Sequence, residues 1–262
     1  MELTLRILGC GASGGVPTIG NFWGNCDPAE PKNNRTRASI AVQSEDACVV
    51  VDTGPDFRQQ LNRENIQNID AVLYTHAHGD HVAGMDELRS FQRRYKKQIP
   101  VYGDQATMDE LQQRYGYMFK DLGDLYQAVM LPNIFAEEEF GHPYEVAGIP
   151  FTPFKQDHYT CESLGFRFGD ISYSTDMAEL DEKARDVVRG SRIWIVDGAG
   201  FYYEGSPVHA SIPKVMEMNQ DIGAEQVYLT HLSLLMDYQE LCDKLPEGYY
   251  PCYDGLTFTT TI

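Results

Sequence analysis

Basic residues are scarce in this chain: 21 lysines and arginines stand against 39 acidic residues, giving a net charge of −18 at pH 7. A surface that lies along nucleic acid or an anionic membrane needs clustered positive charge, so neither partner is expected. No stretch approaches the roughly 18 consecutive apolar residues of a membrane-spanning helix. The first residues, MELTLRILGCG, lack a basic region followed by a long apolar core and alternate like a first strand, so a cytoplasmic location is expected. The six cysteines (Cys10, Cys26, Cys48, Cys161, Cys242, Cys252) never form a C-x-x-C pair and read as reduced thiols rather than a disulfide framework. Low-complexity tracts, internal repeats and compositional breaks are also missing. Residues 1–262 therefore read as a single domain, long enough to bury a substantial core.

What is present is concentrated between Asp70 and Met85, in the stretch DAVLYTHAHGDHVAGM. A short apolar run, Ala71 to Tyr74, leads into His76, His78, Asp80 and His81. Four ligand-type side chains within six positions, at the exit of a buried strand, rarely coincide for packing reasons.

Elsewhere the chain repeats one pattern, an apolar strand that ends in a polar residue able to bind a metal: Asp52, His76, Asp176, Asp197 and His231. Strands interleaved with helices indicate an α/β layered protein with its chemistry on strand-end loops. Four glycines between Gly9 and Gly15 allow tight turns and close backbone approach to an anion, or simply a strand-to-loop corner. The polar segment Thr18–Arg37 has no hydrophobic periodicity; its Arg35 and Arg37 are candidate substrate contacts, with a solvated loop as the alternative. Asp56 can cap a helix running to about Asn65, and Val82–Lys96 has helical spacing throughout. The aromatic-rich stretch of about 115–140 is expected to form a cap or lid, with irregular core as the alternative.

His76 and His78 lie two apart and share one face of an extended chain; with His158 they make a three-nitrogen set for a first-row metal. Asp80 and His81 are better placed for a second ion together with His231, and Asp176, with two carboxylate oxygens, suits a bridge between the two. His142 has no place in this scheme. Zinc and manganese both fit such His/Asp donors.

The segment Thr75-His76-Ala77-His78-Gly79-Asp80-His81 resembles the signature of the metallo-β-lactamase-fold hydrolases. LGCGASGGVP, NNRTRAS, VVVDTGPDFR, YLTHLS and YDGLTF look like the phosphodiesterase branch, which includes the phosphoribosyl cyclic phosphodiesterases and, more distantly, tRNase Z. The resemblance implies a four-layer αββα sandwich and the same two ligand sets. It also implies that Asp52 braces the metal loop, that His209 is the acid near the leaving group, and that Asp80 is catalytic as well as a ligand. The implied reaction is hydrolysis of a small phosphodiester, cyclic or open, in which two cations roughly 3.5–4 Å apart activate a bridging hydroxide. A homodimer is implied by the family alone. Where relatives carry several cysteines in the early loop for a structural zinc, only Cys26 stands here, so no such site is expected; where another histidine often follows the last ligand, this chain has Leu234. The rival readings are a thioester or lactone hydrolase of the same fold and a non-catalytic metal-binding protein of a cofactor pathway.

Overall fold

Leu3, Leu5 and Ile7 alternate with polar neighbours, so β1 (Glu2–Gly9) turns one face inward and pairs antiparallel with β2 (Ser39–Gln43). The computed structural model describes residues 1–121, 123, 126–201 and 206–262. β3 (Cys48–Val51) pairs antiparallel with β2, β4 (Ala71–Leu73), β5 (Ile99–Gly103) and β6 (Met130–Ile134) follow it in parallel, and β14 (Thr257–Thr261) closes the other edge, for seven strands in the order β14-β1-β2-β3-β4-β5-β6. The second half of the chain repeats the arrangement. β7 (Tyr144–Val146), β8 (Ile149–His158), β9 (Cys161–Phe168), β10 (Ile171–Ser174), β11 (Ile193–Asp197), β12 (Gln226–Thr230) and β13 (Tyr249–Pro251) form a sheet in the order β13-β12-β11-β10-β9-β8-β7.

The inner faces of the sheets meet in a core of Leu5, Ile7, Val49, Val51 and Leu73 against Phe151, Phe166, Phe168, Tyr173 and Ile195. The outer face of the first sheet is covered by α1 (Phe57–Arg63), α2 (Gly79–Val82), α3 (Leu88–Tyr95), α4 (Gln105–Arg114) and α5 (Gly116–Phe119). That of the second carries α6 (Glu182–Val188), α7 (Ile212–Ile222) and α8 (Tyr238–Lys244) around buried Trp194. Two sheets face to face with helices outside make the αββα sandwich, and each buried Leu, Ile or Phe side chain contributes about 1.5–3 kcal/mol to it. No helix among the described residues is long and apolar enough to cross a membrane.

Three expectations need correction. The helix read over Val82–Lys96 is broken: α2 stops at Val82, Met85–Glu87 is a 3₁₀ turn, and α3 starts at Leu88. Gly84 causes the break by packing on the Gly54 carbonyl, so closely that a Cβ would overlap it. Asp56 stands at the N-terminus of α1 without capping it; its carboxylate accepts the Arg37 amide at 2.9 Å and pairs with the Arg37 side chain at 3.1 Å. The aromatic-rich stretch does not act as a lid in its described part. Met118, Val129, Met130 and Phe135 are buried in the core and β6 is the edge strand of the first sheet, because these large apolar side chains complete the layers; residues 122, 124 and 125 lie outside the described residues.

Asp254 ties the sheet edge to the loops that carry the site. Its carboxylate accepts the Cys10 amide (3.1 Å), the Thr36 amide (2.9 Å), the Thr36 hydroxyl (2.6 Å) and Arg63 Nη1 (3.0 Å). Removing a shared acceptor leaves several partly or fully buried donors unsatisfied. Asp254→Ala is expected to lower unfolding free energy by about 3 kcal/mol or more, read as a reduced urea midpoint at unchanged m-value. A change below about 0.5 kcal/mol would contradict this anchoring role.

Candidate metal centre

The carboxyl ends of β3, β4, β8, β10, β11 and β12 meet at one rim of the sandwich, and each delivers a polar side chain there. Asp52 follows β3, Asp176 follows β10 by two residues and His231 follows β12; all three have left-handed backbone, with φ of +64°, +47° and +57°. That conformation turns the chain sharply off the strand, and Asp is one of the non-glycine residues that tolerate it best.

Two groups of donor atoms converge around the predicted ligands. His76, His78 and His158 form one; Asp80, His81, Asp176 and His231 form the other; Asp176 and His231 also meet Asp197 and His209 in a third, with the donor atoms of each group within 4.8 Å of one another. Asp176 reaches both. Its Oδ2 lies 3.3 Å from His76 Nε2 and 2.6 Å from His81 Nε2, and its Oδ1 lies 3.2 Å from His231 Nε2. Asp80 Oδ2 is 3.4 Å from His81 Nε2 and 3.5 Å from His231 Nε2. The seven side chains singled out in the sequence are therefore all at one place.

A second layer holds these rings in orientation. Asp52 Oδ2 accepts His81 Nδ1 at 2.7 Å and the Thr75 hydroxyl at 2.8 Å, while its Oδ1 accepts the Thr75 amide at 2.8 Å. The Val208 carbonyl lies 2.9 Å from His158 Nδ1, and the Thr75 hydroxyl lies 3.0 Å from His76 Nδ1. Committing Nδ1 of each ring to a protein group leaves Nε2 for a metal.

His209 is brought beside this cluster, with its ring 5.3 Å from that of His231 and 5.4 Å from that of His158. Its Nδ1 is 2.6 Å from Asp197 Oδ2 and 3.8 Å from Asp176 Oδ1. Asp197, a strand-end carboxylate to which the sequence alone assigns no role, is the residue that orients His209. The strand-end pattern of Asp52 and Asp176 marks it too, but its partner lies twelve positions further along the chain. Arg35 is a correction. Its guanidinium is buried and bonded to the Met236 carbonyl at 2.6 Å, the Ser233 carbonyl at 3.3 Å and Asn33 Oδ1 at 3.1 Å, so it ties loops together and has no face for a substrate. Arg37 lies near the rim, half-buried against Gly15 and Asp56.

The donors fit divalent cations. His76 Nε2, His81 Nε2 and Asp176 Oδ1 are buried and make no well-aligned hydrogen bond despite facing one another closely, which is costly unless another group satisfies them. Burial would push the Asp80 and Asp176 carboxyls up, but the surrounding imidazoles outweigh it and hold both well below the usual range, so both are ionised. Burial pushes His76 and His158 down, keeping them neutral and able to donate a lone pair. Burial also opposes charge on His81 and His231, yet their carboxylate neighbours hold both above the ordinary value. A cation at those nitrogens takes the place of a proton.

The family model described as "Beta-lactamase superfamily domain" matches residues 48–232. A solved diphosphatase from the PhnP family superimposes with a TM-score of 0.86 at 30% identity, covering 99% of this chain and 98% of that one. The zinc-bound PqqB of Methylobacterium extorquens shares the fold, with a TM-score of 0.72 at 21% identity over 97% of this chain and 99% of that one. An octanoyltransferase of Porphyromonas gingivalis is 30% identical over 252 residues, 95% of this chain; the chain spans about half the length of that relative, 50%. With the sandwich, the strand-end donors and these matches together, the chain belongs to the β-lactamase superfamily, in its metallo-β-lactamase fold.

Proposed function

We propose that this chain is a phosphodiesterase that hydrolyses a small phosphodiester with the help of two divalent ions, zinc or manganese. The observation that carries the reading is His209, hydrogen-bonded to Asp197 and set beside a cluster of seven metal-type donors. The solved diphosphatase of the PhnP family, at 30% identity over nearly the whole chain, supports it.

His76, His78 and His158 would hold one ion, Asp80, His81 and His231 the other, and Asp176 would serve both. When bound, the ions supply Lewis acidity to a phosphoryl oxygen and lower the pKa of an attacking water. The protein's own part is orientation and proton transfer. Asp197 fixes the His209 ring through Nδ1, leaving Nε2 to pass a proton to the departing alkoxide. Burial works against a charge on His209, but the Asp197 carboxylate outweighs it and raises the imidazole to about 9, so the proton is available at neutral pH.

A second reading draws on the relative named an octanoyltransferase: the same centre could cleave an acyl thioester. Half of that relative lies outside the match. Metal-loaded protein is expected to hydrolyse bis(p-nitrophenyl) phosphate and to leave octanoyl thioesters intact; the opposite selectivity would replace the first reading with the second.

Asp176→Ala is expected to lower bound metal measured by elemental analysis, and Asp52→Asn to weaken metal affinity by roughly 10–100-fold. Unchanged stoichiometry in the first or unchanged affinity in the second removes the corresponding role. His209→Ala is expected to retain its metal and lose roughly 10²–10⁴-fold in kcat on alkyl esters, with a much smaller loss on p-nitrophenyl esters, whose leaving group needs no proton. Equal losses on both would argue against a proton donor.

A further inference from the structure

Phe151, Phe166 and Phe168 turn into the core, so Thr152 and Arg167, paired across β8 and β9, face the other way. There they form the floor of a cavity of about 500 Å³ on the outer face of the second sheet. Lys183 and Val187 of α6 line one side of it, and Phe140 and His142, from the segment that leads into β7, line the other. The Gly141 amide donates to the Pro153 carbonyl at 2.8 Å and holds that segment on β8. Six residues of strand separate Thr152 from His158, which puts the cavity about 20 Å from the metal-type donors. Its volume is that of a small-molecule site.

The charges in the cavity are out of balance with the rest of the chain. Arg167 is held by backbone carbonyls: Nε donates to Gly169 at 2.8 Å, and Nη1 donates to Val187 at 2.6 Å and Arg189 at 2.8 Å. Those bonds fix the guanidinium without neutralising it, and Nη2 donates to no group among the described residues. Burial holds Arg167 below its ordinary pKa; the one carboxylate that offsets this, Asp170, is itself taken up by Arg192 at 2.7 and 3.3 Å. Lys183 makes no hydrogen bond or ion pair with a described residue. Asp186, the one carboxylate lining the cavity among the described residues, is paired with Arg189. The other cations of this face are matched: Arg185 and Lys214 lie 3.7 and 3.0 Å from Glu179, and Arg189 also reaches Glu182 at 3.2 Å and Asp221 at 2.8 Å. In a chain of net charge −18, two cations without a committed carboxylate share this one cavity.

A fixed guanidinium beside an ammonium attracts carboxylate or phosphoryl oxygens, and an aromatic ring next to them covers an apolar body. We propose that this cavity is a binding site for a small organic anion, with its carboxylate or phosphoryl group between Arg167 and Lys183 and its apolar part against Phe140 and Val187. Thr152 and His142, the histidine that has no place in the metal scheme, line the same space and offer hydrogen bonds to the ligand's remaining polar atoms. The site is separate from the metal centre, and it stands or falls independently of the phosphodiesterase reading.

The test titrates zinc-loaded protein with benzoate, phenylphosphonate and the neutral benzyl alcohol at low ionic strength, following the Gly141 amide and the Arg167 Nε–H group by ¹⁵N NMR. At least one of the two anions is expected to shift both signals saturably, with benzyl alcohol at least tenfold weaker; the tighter anion identifies the head group. Lys183→Glu is the informative variant, because Lys183 is exposed and bonds to no described residue, so the fold does not depend on it. It is expected to weaken the anion at least tenfold, and Phe140→Ala to weaken it less. Asp176→Ala, with its metal reduced, is expected to bind the anion at this cavity as the wild type does. Signals that stay unmoved with both anions, a benzyl alcohol affinity equal to theirs, or an affinity unchanged in Lys183→Glu would overturn the site. An affinity at these signals that disappears in Asp176→Ala would overturn its separation from the metal centre.

Discussion

The carboxylate of Asp176 is where the two halves of the molecule depend on one another. It stands at the end of a strand of the second sheet, while His76 and His81, which face its Oδ2, belong to the loop leaving β4 in the first. The first sheet thus supplies His76, His78, Asp80 and His81, and the second supplies His158, Asp176 and His231. Neither half has a complete donor set alone. The register between them is held by the apolar core of Val51, Leu73, Phe166 and Tyr173 and by main-chain bonds that cross from one half to the other: Leu164 N to Thr75 O at 2.8 Å, and the Cys10–Leu232 pair. Packing density in the sandwich is therefore what fixes the spacing of the donors, because closely packed sheets cannot slide without opening voids.

That alignment has a backbone cost. Left-handed conformations at Asp52, Asp176 and His231 cost of order 1–3 kcal/mol each and persist only where the surroundings enforce them. The enforcement is visible at Asp52, whose amide donates to the Leu73 carbonyl at 2.9 Å while its own carbonyl accepts the Ser39 hydroxyl at 3.0 Å. Strain at two strand-end donors and at the carboxylate that braces the metal loop, offset by buried hydrogen bonds behind them, describes a site whose geometry is set before any ligand arrives. Preorganisation of this kind lets binding energy go into chemistry instead of rearrangement.

Much of this was legible in the sequence, for reasons that differ by residue. His76, His78, Asp80 and His81 are readable because they are local: six positions of chain present the whole cluster. His158, Asp176 and His231 are readable because a strand that ends in a ligand-type side chain repeats. The misreadings arise where long-range packing decides. An arginine in a polar loop looks solvated or ligand-facing until the Ser233 and Met236 carbonyls, some two hundred positions away, are seen to bury it. Met118, Met130 and Phe135 look like a lid because aromatic and methionine side chains suit both lids and cores, and only the sheet order decides between them. Asp254, close to the C-terminus, carries no signal of the donors it collects from three distant segments.

The two arginines of the early loop show how such distant contacts act on the site. Arg35 and Arg37 are two positions apart and chemically identical, and an extended chain would put them on one face. The loop is not a regular strand, and they diverge. Arg35 is driven inward, where a buried guanidinium is tolerated only because carbonyl and amide oxygens satisfy it. Its main chain meanwhile exchanges hydrogen bonds with Val16 in both directions, at 2.8 and 2.9 Å, which pins the far side of the glycine turn. Arg37, held by Asp56, then lies against the turn that Arg35 has fixed. One arginine thus contributes by being satisfied and unavailable to any ligand, and the other by keeping its terminal nitrogens free. The buried residue acts on the site only through the loop it holds, and the exposed turn keeps its shape because that residue is buried.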